Sequence, residues 1–171
     1  ARPLLFDLTN VTAAAKDLNI LGPDVYANIT AVSLSSKRGF QITGLSTQFA
    51  YTTQQMTLKD MQLTTVESTL NGDLVMDYSS KGYSDFYNSV VFKASFNTSG
   101  LATNDLNGFY NEFGPNQTIG FKGNFDGVLN DFSFTDATLT TANTRVAGDY
   151  YFKDILKGKK AFAINFRRHN I

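Results

Sequence analysis

Apolar and polar residues alternate with period two along most of this 171-residue chain, the spacing of strands that bury one face. Met56 and Leu58, Met61 and Leu63, then Leu70, Leu74 and Met76 follow it; so do Phe132 and Phe134, Ala137 and Leu139, then Val146, Tyr150 and Phe152. The phase slips by one residue at Lys59-Asp60 and again at Thr135-Asp136. Such a slip would send every later side chain to the other face unless a β-bulge absorbs it. A bulge is therefore expected at both places, and bulges bend sheets.

The two slips are equivalent because the chain repeats itself. Residues 41–90 align without gaps on residues 117–166, with identities at Gln41, Gly44, Phe49, Asp60, Leu63 to Thr65, Gly72-Asp73, Lys81-Gly82 and Phe86. These are twelve identities, where chance in so Thr- and Phe-rich a chain gives roughly three or four. Each copy reads as four strands, at about 40–51, 55–65, 68–78 and 86–97, and at about 117–128, 131–141, 144–153 and 161–168. Turns are expected at Val66-Glu67 and Ala142-Asn143, and at Ser80 to Gly82 and Lys157 to Lys159. Asn71-Gly72 resembles a hairpin turn, but its repeat partner is Ala147-Gly148, so Gly72 is placed inside a strand as a bend or close-packing point. Further strands are expected at Leu4-Phe6-Leu8, Val11 to Ile20 and Val25 to Leu34.

One segment changes period. Leu106, Phe109, Tyr110 and Phe113 share one helical face, Thr103 or Asn104 can cap its start, and Gly114-Pro115 stops it. A short helix is expected at about 104–113, covering or plugging part of the sheet. The whole chain, 1–171, then reads as one all-β unit: an elongated, curled antiparallel meander of four-strand repeats.

Composition sharpens this picture. Fifteen Phe and eight Tyr with only three Pro suit a pleated, half-buried surface. Fifteen basic and fifteen acidic residues cancel, which argues against a nucleic-acid partner. Without cysteine, and with His169 as the lone histidine, there is no disulfide, thiol nucleophile or multi-histidine site. No apolar run approaches the ~18 residues of a membrane helix, and no signal peptide is visible. The chain starts on Ala rather than Met, so a fragment or processed chain is expected.

The stretches Phe109-Tyr-Asn-Glu-Phe-Gly-Pro-Asn-Gln and Ala15-Lys-Asp-Leu-Asn-Ile-Leu-Gly-Pro-Asp-Val resemble the TamB translocation and assembly module family, within the AsmA-like group. The run from Leu58-Lys-Asp-Met-Gln-Leu-Thr-Thr to Leu70-Asn-Gly-Asp-Leu resembles the strand, turn and Gly-bearing strand units of that group. The resemblance covers most of the chain, as a piece of a far longer protein. It implies a taco-shaped β-groove (β-taco) lined with apolar side chains, in a periplasmic protein anchored in the inner membrane. The implied activity is passive conduction of phospholipid between the two membranes, with assistance to outer-membrane assembly, and no catalysis or cofactor. The family's membrane anchor and the domain that meets an outer-membrane assembly barrel do not match anything here, so attachment and that partner are expected to be encoded elsewhere.

A buried methylene gains about 0.8 kcal/mol, so a stripe of Phe, Leu, Met and Val holds an acyl chain without fixing its position. The candidate lining is Leu58, Leu63, Leu70, Leu74, Met76, Phe92 and Phe96, with Phe121, Phe125, Phe132, Phe134, Leu139, Val146, Tyr150, Phe152, Phe162, Ile164 and Phe166. No charge interrupts these phases. A closed β core shows the same alternation, so a secreted or surface β-sandwich for adhesion or ligand binding is the competing reading, and a β-rich enzyme a distant third.

Other polar motifs have plainer accounts. Asp60, Asp73, Asp136 and Asp149 recur beside bulges and glycines, where local hydrogen bonding explains them better than acid–base chemistry. Asn124, Asp126, Asn130 and Asp131 do not complete a calcium loop. Arg167-Arg168-His169 reads as a solvated end, with a weak option of meeting anionic headgroups. Asn10, Asn28, Asn97 and Asn116 stand in Asn-x-Ser/Thr triplets, which carry glycans only in a eukaryotic secreted context.

Overall fold

The alternating stretches form ten antiparallel strands in a computed structural model that describes residues 8–36, 41–106, 114–154 and 161–166. The strands are β1 (Leu8–Leu21), β2 (Asp24–Ser36), β3 (Gln41–Tyr51), β4 (Gln55–Thr65), β5 (Thr69–Asp77), β6 (Val91–Ala102), β7 (Thr118–Val128), β8 (Asp131–Thr140), β9 (Arg145–Lys153) and β10 (Ala161–Phe166). They lie side by side in sequence order in one sheet, with β1 and β10 as its edges. Two one-turn helices interrupt the meander, α1 (Phe86–Ser89) before β6 and α2 (Thr103–Leu106) after it. A single open sheet is not the two-sheet sandwich of the competing reading.

Both expected bulges are present. Leu58 pairs with Leu74 and Met61 with Gly72, so β4 spends one residue more than β5. Likewise Phe134 pairs with Tyr150 and Ala137 with Gly148, so β8 spends one more than β9. The extra residues Asp60 and Asp136 have φ of 51° and 50°, a left-handed conformation that Asp tolerates better than most side chains. On the edge, Asp17 repeats the device with φ 53° and a register shift against β2.

The bulges fall on one line across the sheet. β6 carries an extra residue between Phe96 and Ser99 at the same level, so β4, β6 and β8 all bulge there. The strands between them carry glycine: Gly72 pairs with Met61 and Phe96, Gly123 with Phe96, and Gly148 with Ala137. Sequence shows a four-strand period, but the bend recurs every two strands. Its direction is read from two rings. Phe121 pairs with Leu139, five residues past Phe134 on β8, an offset of roughly 13 Å on a flat sheet once the bulge is allowed for. The Phe121 and Phe134 rings are nonetheless 6.2 Å apart. The Phe134 ring also leans over Gly123, and in this single-layer sheet Met61, Ala137, Ser99 and Thr47 are buried on the apolar side at the same level. The sheet folds towards that side along this crease, which divides it into two limbs.

Two expectations need correction. The fourth strand of the first copy was expected at 86–97, but Phe86–Ser89 is helical and β6 starts at Val91. The amides of Asn88 and Ser89 both donate to the Asp85 carbonyl, and the Phe86 ring meets Phe92 edge-on at 5.8 Å. Local ring packing thus wins over extension. The repeat partner of Phe162 is consequently Phe92, because Met76 pairs with Phe92 as Phe152 pairs with Phe162. The helix expected at 104–113 is seen as α2 at Thr103–Leu106; 107–113, with Phe109, Tyr110 and Phe113, lie outside the described residues. So do Leu4-Phe6, the turn at Lys157 to Lys159, and Arg167-Arg168-His169.

A Cβ on Gly72 would sit 2.0 Å from the Ser95 carbonyl oxygen, at φ 146°. Gly72→Ala is expected to cost about 3 kcal/mol in urea unfolding. Gly120→Ala, whose Cβ would meet nothing closer than 3.6 Å, is expected to change stability by less than about 1 kcal/mol.

Candidate apolar groove

Cross-strand pairing assembles the candidate residues into rows. One row on the first limb runs Tyr51, Met56, Met76, Phe92, Gly127, Phe132 and Phe152. A second runs Phe49, Leu58, Leu74, Ala94, Phe125, Phe134 and Tyr150. On the other limb Leu45, Leu63 and Leu70 form one stretch, and Phe121, Leu139 and Val146 another. Met61 and Phe96 lie in the crease. Backbone pairing sets Phe162, Ile164 and Phe166 opposite Phe152, Tyr150 and Gly148; their side chains lie outside the described residues. Phe49, Tyr51, Leu45, Met56 and Met61 belong to the same surface and were missing from the candidate lining. The alternation that marks Leu58 and Leu63 marks them equally.

Aromatic contacts pave the β7–β9 end. Phe125 stacks on Phe132 at 4.4 Å and Phe132 on Phe152 at 4.8 Å. Phe96 meets Phe121 edge-on at 5.3 Å across the crease. Offset stacking and edge contacts each add about 1 kcal/mol beyond area burial. β4 and β5 are lined by Leu and Met instead.

The lining is not sealed. From Leu58 to Phe152 every candidate except Tyr150 is half-buried, where a closed core would seal them. The charged residues sit on the other phase: Lys59, Lys93, Lys122, Arg145 and Lys153 pair with Gln48, Val75, Thr138, Thr140 and Asp131. No charged residue of the described strands falls in an apolar row.

The recurring aspartates hold the crease from its convex side. Asp73 Oδ1 accepts the Asp60 amide at 2.7 Å, and Asp149 Oδ1 accepts the Asp136 amide at 2.9 Å. The bulge carboxylates accept side-chain amides from a neighbouring strand: Asn28 on Asp17 at 2.7 Å, Gln48 on Asp60 at 3.1 Å and Asn124 on Asp136 at 3.5 Å. The bonds to Asp73 and Asp149 occupy backbone donors that bulging leaves without ladder partners. Asn124 also accepts from Ser95, and Asn130 donates to Asn88. Among the described residues no three His, Asp or Glu converge on a metal position.

The two longer connections finish opposite ends of the limbs. At one end the buried Tyr78 donates its hydroxyl to Thr52 O at 2.7 Å and packs on Tyr83 at 4.6 Å, while the Asn130 amide reaches Tyr87 O. At the other, Asp105 accepts from Thr65 and Ser68, and Asn104 donates to Glu67. The Thr103 hydroxyl, expected as a cap, exchanges bonds with the Gln117 backbone.

Tyr150 is the exception within the rows. It is 5% exposed, and its hydroxyl is the one buried side-chain polar atom without a hydrogen-bond partner among the described residues. Burial holds its pKa above the ordinary value.

No family model, curated protein or solved structure matches this chain.

Removing an unpaired buried hydroxyl removes a desolvation cost of about 1 kcal/mol or more, so Tyr150→Phe is expected to raise the urea midpoint. Burial, then the neighbouring Tyr83 and Tyr51, raise the Tyr78 pKa above its ordinary value. The unfolded chain ionises this phenol near pH 10 while the fold keeps it neutral. Stability from Tyr78 is thus full below about pH 10 and falls as pH rises beyond it; a denaturation series from pH 8 to 11 should show a drop that Tyr78→Phe reduces.

Proposed function

We propose that this chain is a segment of an envelope-spanning protein whose apolar groove passively conducts phospholipid acyl chains between the inner and outer membranes, across the periplasm. The observation that carries the reading is a creased sheet whose concave rows are apolar, half-buried and free of charge among the described strands. A chain lying there gains about 0.8 kcal/mol per methylene withdrawn from water. Conduction asks for many similar weak sites instead of one deep pocket, and the rows supply such sites strand after strand. The apolar surface also runs out to the β1 edge, where Leu18 and Ile20 are 63% and 62% exposed. The resemblance of Phe109 to Gln117, and of the Gly72-Asp73 unit, to the TamB family supplies the compartment and the lipid class. Assistance to outer-membrane assembly belongs to the same proposal, through a barrel partner met by other parts of the protein. No helix among the described residues is long and apolar enough to cross a membrane.

Phe92 and Lys93 are neighbours on β6 that face opposite sides, one half-buried and one exposed. A benzophenone amino acid at position 92, with phospholipid vesicles and ultraviolet light, is expected to give lipid adducts by mass spectrometry. The same group at position 93 is expected to give few. Equal or absent labelling in folded protein would remove the conduit reading.

A further inference from the structure

Among the described residues, the other buried side-chain polar atoms of the concave side have hydrogen-bond partners. The Thr47 hydroxyl donates to Lys59 O at 2.8 Å, and the Ser99 hydroxyl accepts the Asn71 amide at 2.9 Å. Tyr150 stands one strand step from the crease residue Gly148, in register between Phe134 and Ile164. Its ring belongs to the apolar row, yet its hydroxyl is buried without a partner. A Phe would fill the same place without that cost. An unpaired buried donor in an apolar surface calls for an acceptor, and in a groove open to ligand the ligand can bring it.

We propose that the Tyr150 hydroxyl is a polar subsite of the groove that donates a hydrogen bond to the ester carbonyl of a glycerolipid acyl chain. This rests on the groove reading above and adds the chemistry of one contact. The ester is favoured over a free fatty acid by charge. An ionised carboxylate here would be desolvated, with the described strand cations on the opposite phase, and an unpaired buried charge is far costlier than a neutral carbonyl. A single neutral O–H suits a single neutral acceptor. A phenol is protonated at neutral pH in any case, and burial raises its pKa further. The side chains covering the hydroxyl must turn aside for the carbonyl to reach it, which ties the bond to entry of the chain. Because one such bond is modest, it orders a passing lipid without trapping it.

The test is a competition. The purified chain is incubated with vesicles containing equal amounts of diacyl phosphatidylcholine and its dialkyl ether analogue of the same chain lengths, and the retained lipids are quantified by mass spectrometry. The wild-type chain is expected to retain the ester form about five-fold over the ether. Tyr150→Phe is expected to bring that ratio to one, and its circular dichroism and urea unfolding report whether the sheet is intact. No preference in the wild type, or a preference that survives in Tyr150→Phe, overturns the hydroxyl assignment and leaves the groove standing. Retention of neither lipid by folded wild-type protein overturns the groove and the subsite together. Palmitic acid as a third competitor separates the sources: retention of it above the diacyl lipid, lost in Tyr150→Phe, would overturn the ester in favour of a carboxylic acid.

Discussion

The close approach of backbones along the crease is the constraint on which the rest of this structure depends. An extended sheet with one apolar face would leave that face in water. Here β4, β6 and β8 each carry an extra residue, while β5 and β7 meet them with glycines whose Cβ positions are already occupied by neighbouring backbone. The sheet can therefore fold towards its apolar side without a second layer. Aligning the bulges matters as much as having them, since bends at scattered levels would twist the strands individually and make no common groove.

The charge distribution follows from the same geometry. A residue beyond a bulge keeps its face only because the extra residue restores the phase. Lys59 and Met61 therefore fall on opposite sides although they are two apart, and the apolar rows continue through the crease. Asp60 with Asp73, and Asp136 with Asp149, could be mistaken for paired catalytic carboxylates. Each pair instead joins a carboxylate to the other residue's backbone amide on the convex side. They hold the bend from outside, where water screens their charge, and the inside stays free of it.

A groove of this kind trades packing for access. The lining residues remain half-buried, so they contribute less to stability than sealed side chains would, at about 25 cal/mol per Å² of apolar surface withdrawn. Full burial is found at the ends of the limbs, at Tyr78 and Val90, in the crease, at Met61 and Ala137, and within the second row only at Ala94 and Tyr150. The ladders and cross-strand ring contacts connect these sealed places, so the open surface between them need not supply the stability itself.

Much of this is legible locally. Period two over Met56 to Leu63 and Phe132 to Leu139 sets which side chains share a face, and the slips at Asp60 and Asp136 announce the bulges, because side-chain direction is a property of the strand itself. The repeat moves Gly72 from a turn into a strand by pairing it with Gly148. The same repeat misleads at Phe86, which it matches to Phe162, because identity at a fixed offset knows nothing of the ring packing that makes 86–89 helical. It also misses the bulge of β6, where Asn97 and Thr98 carry no aspartate to signal it. The crease, the unsealed apolar face and the unpaired Tyr150 hydroxyl are tertiary facts. They depend on how ten strands register against one another, and no single strand's pattern states whether its bend will meet its neighbour's, or whether a buried hydroxyl will find a partner there.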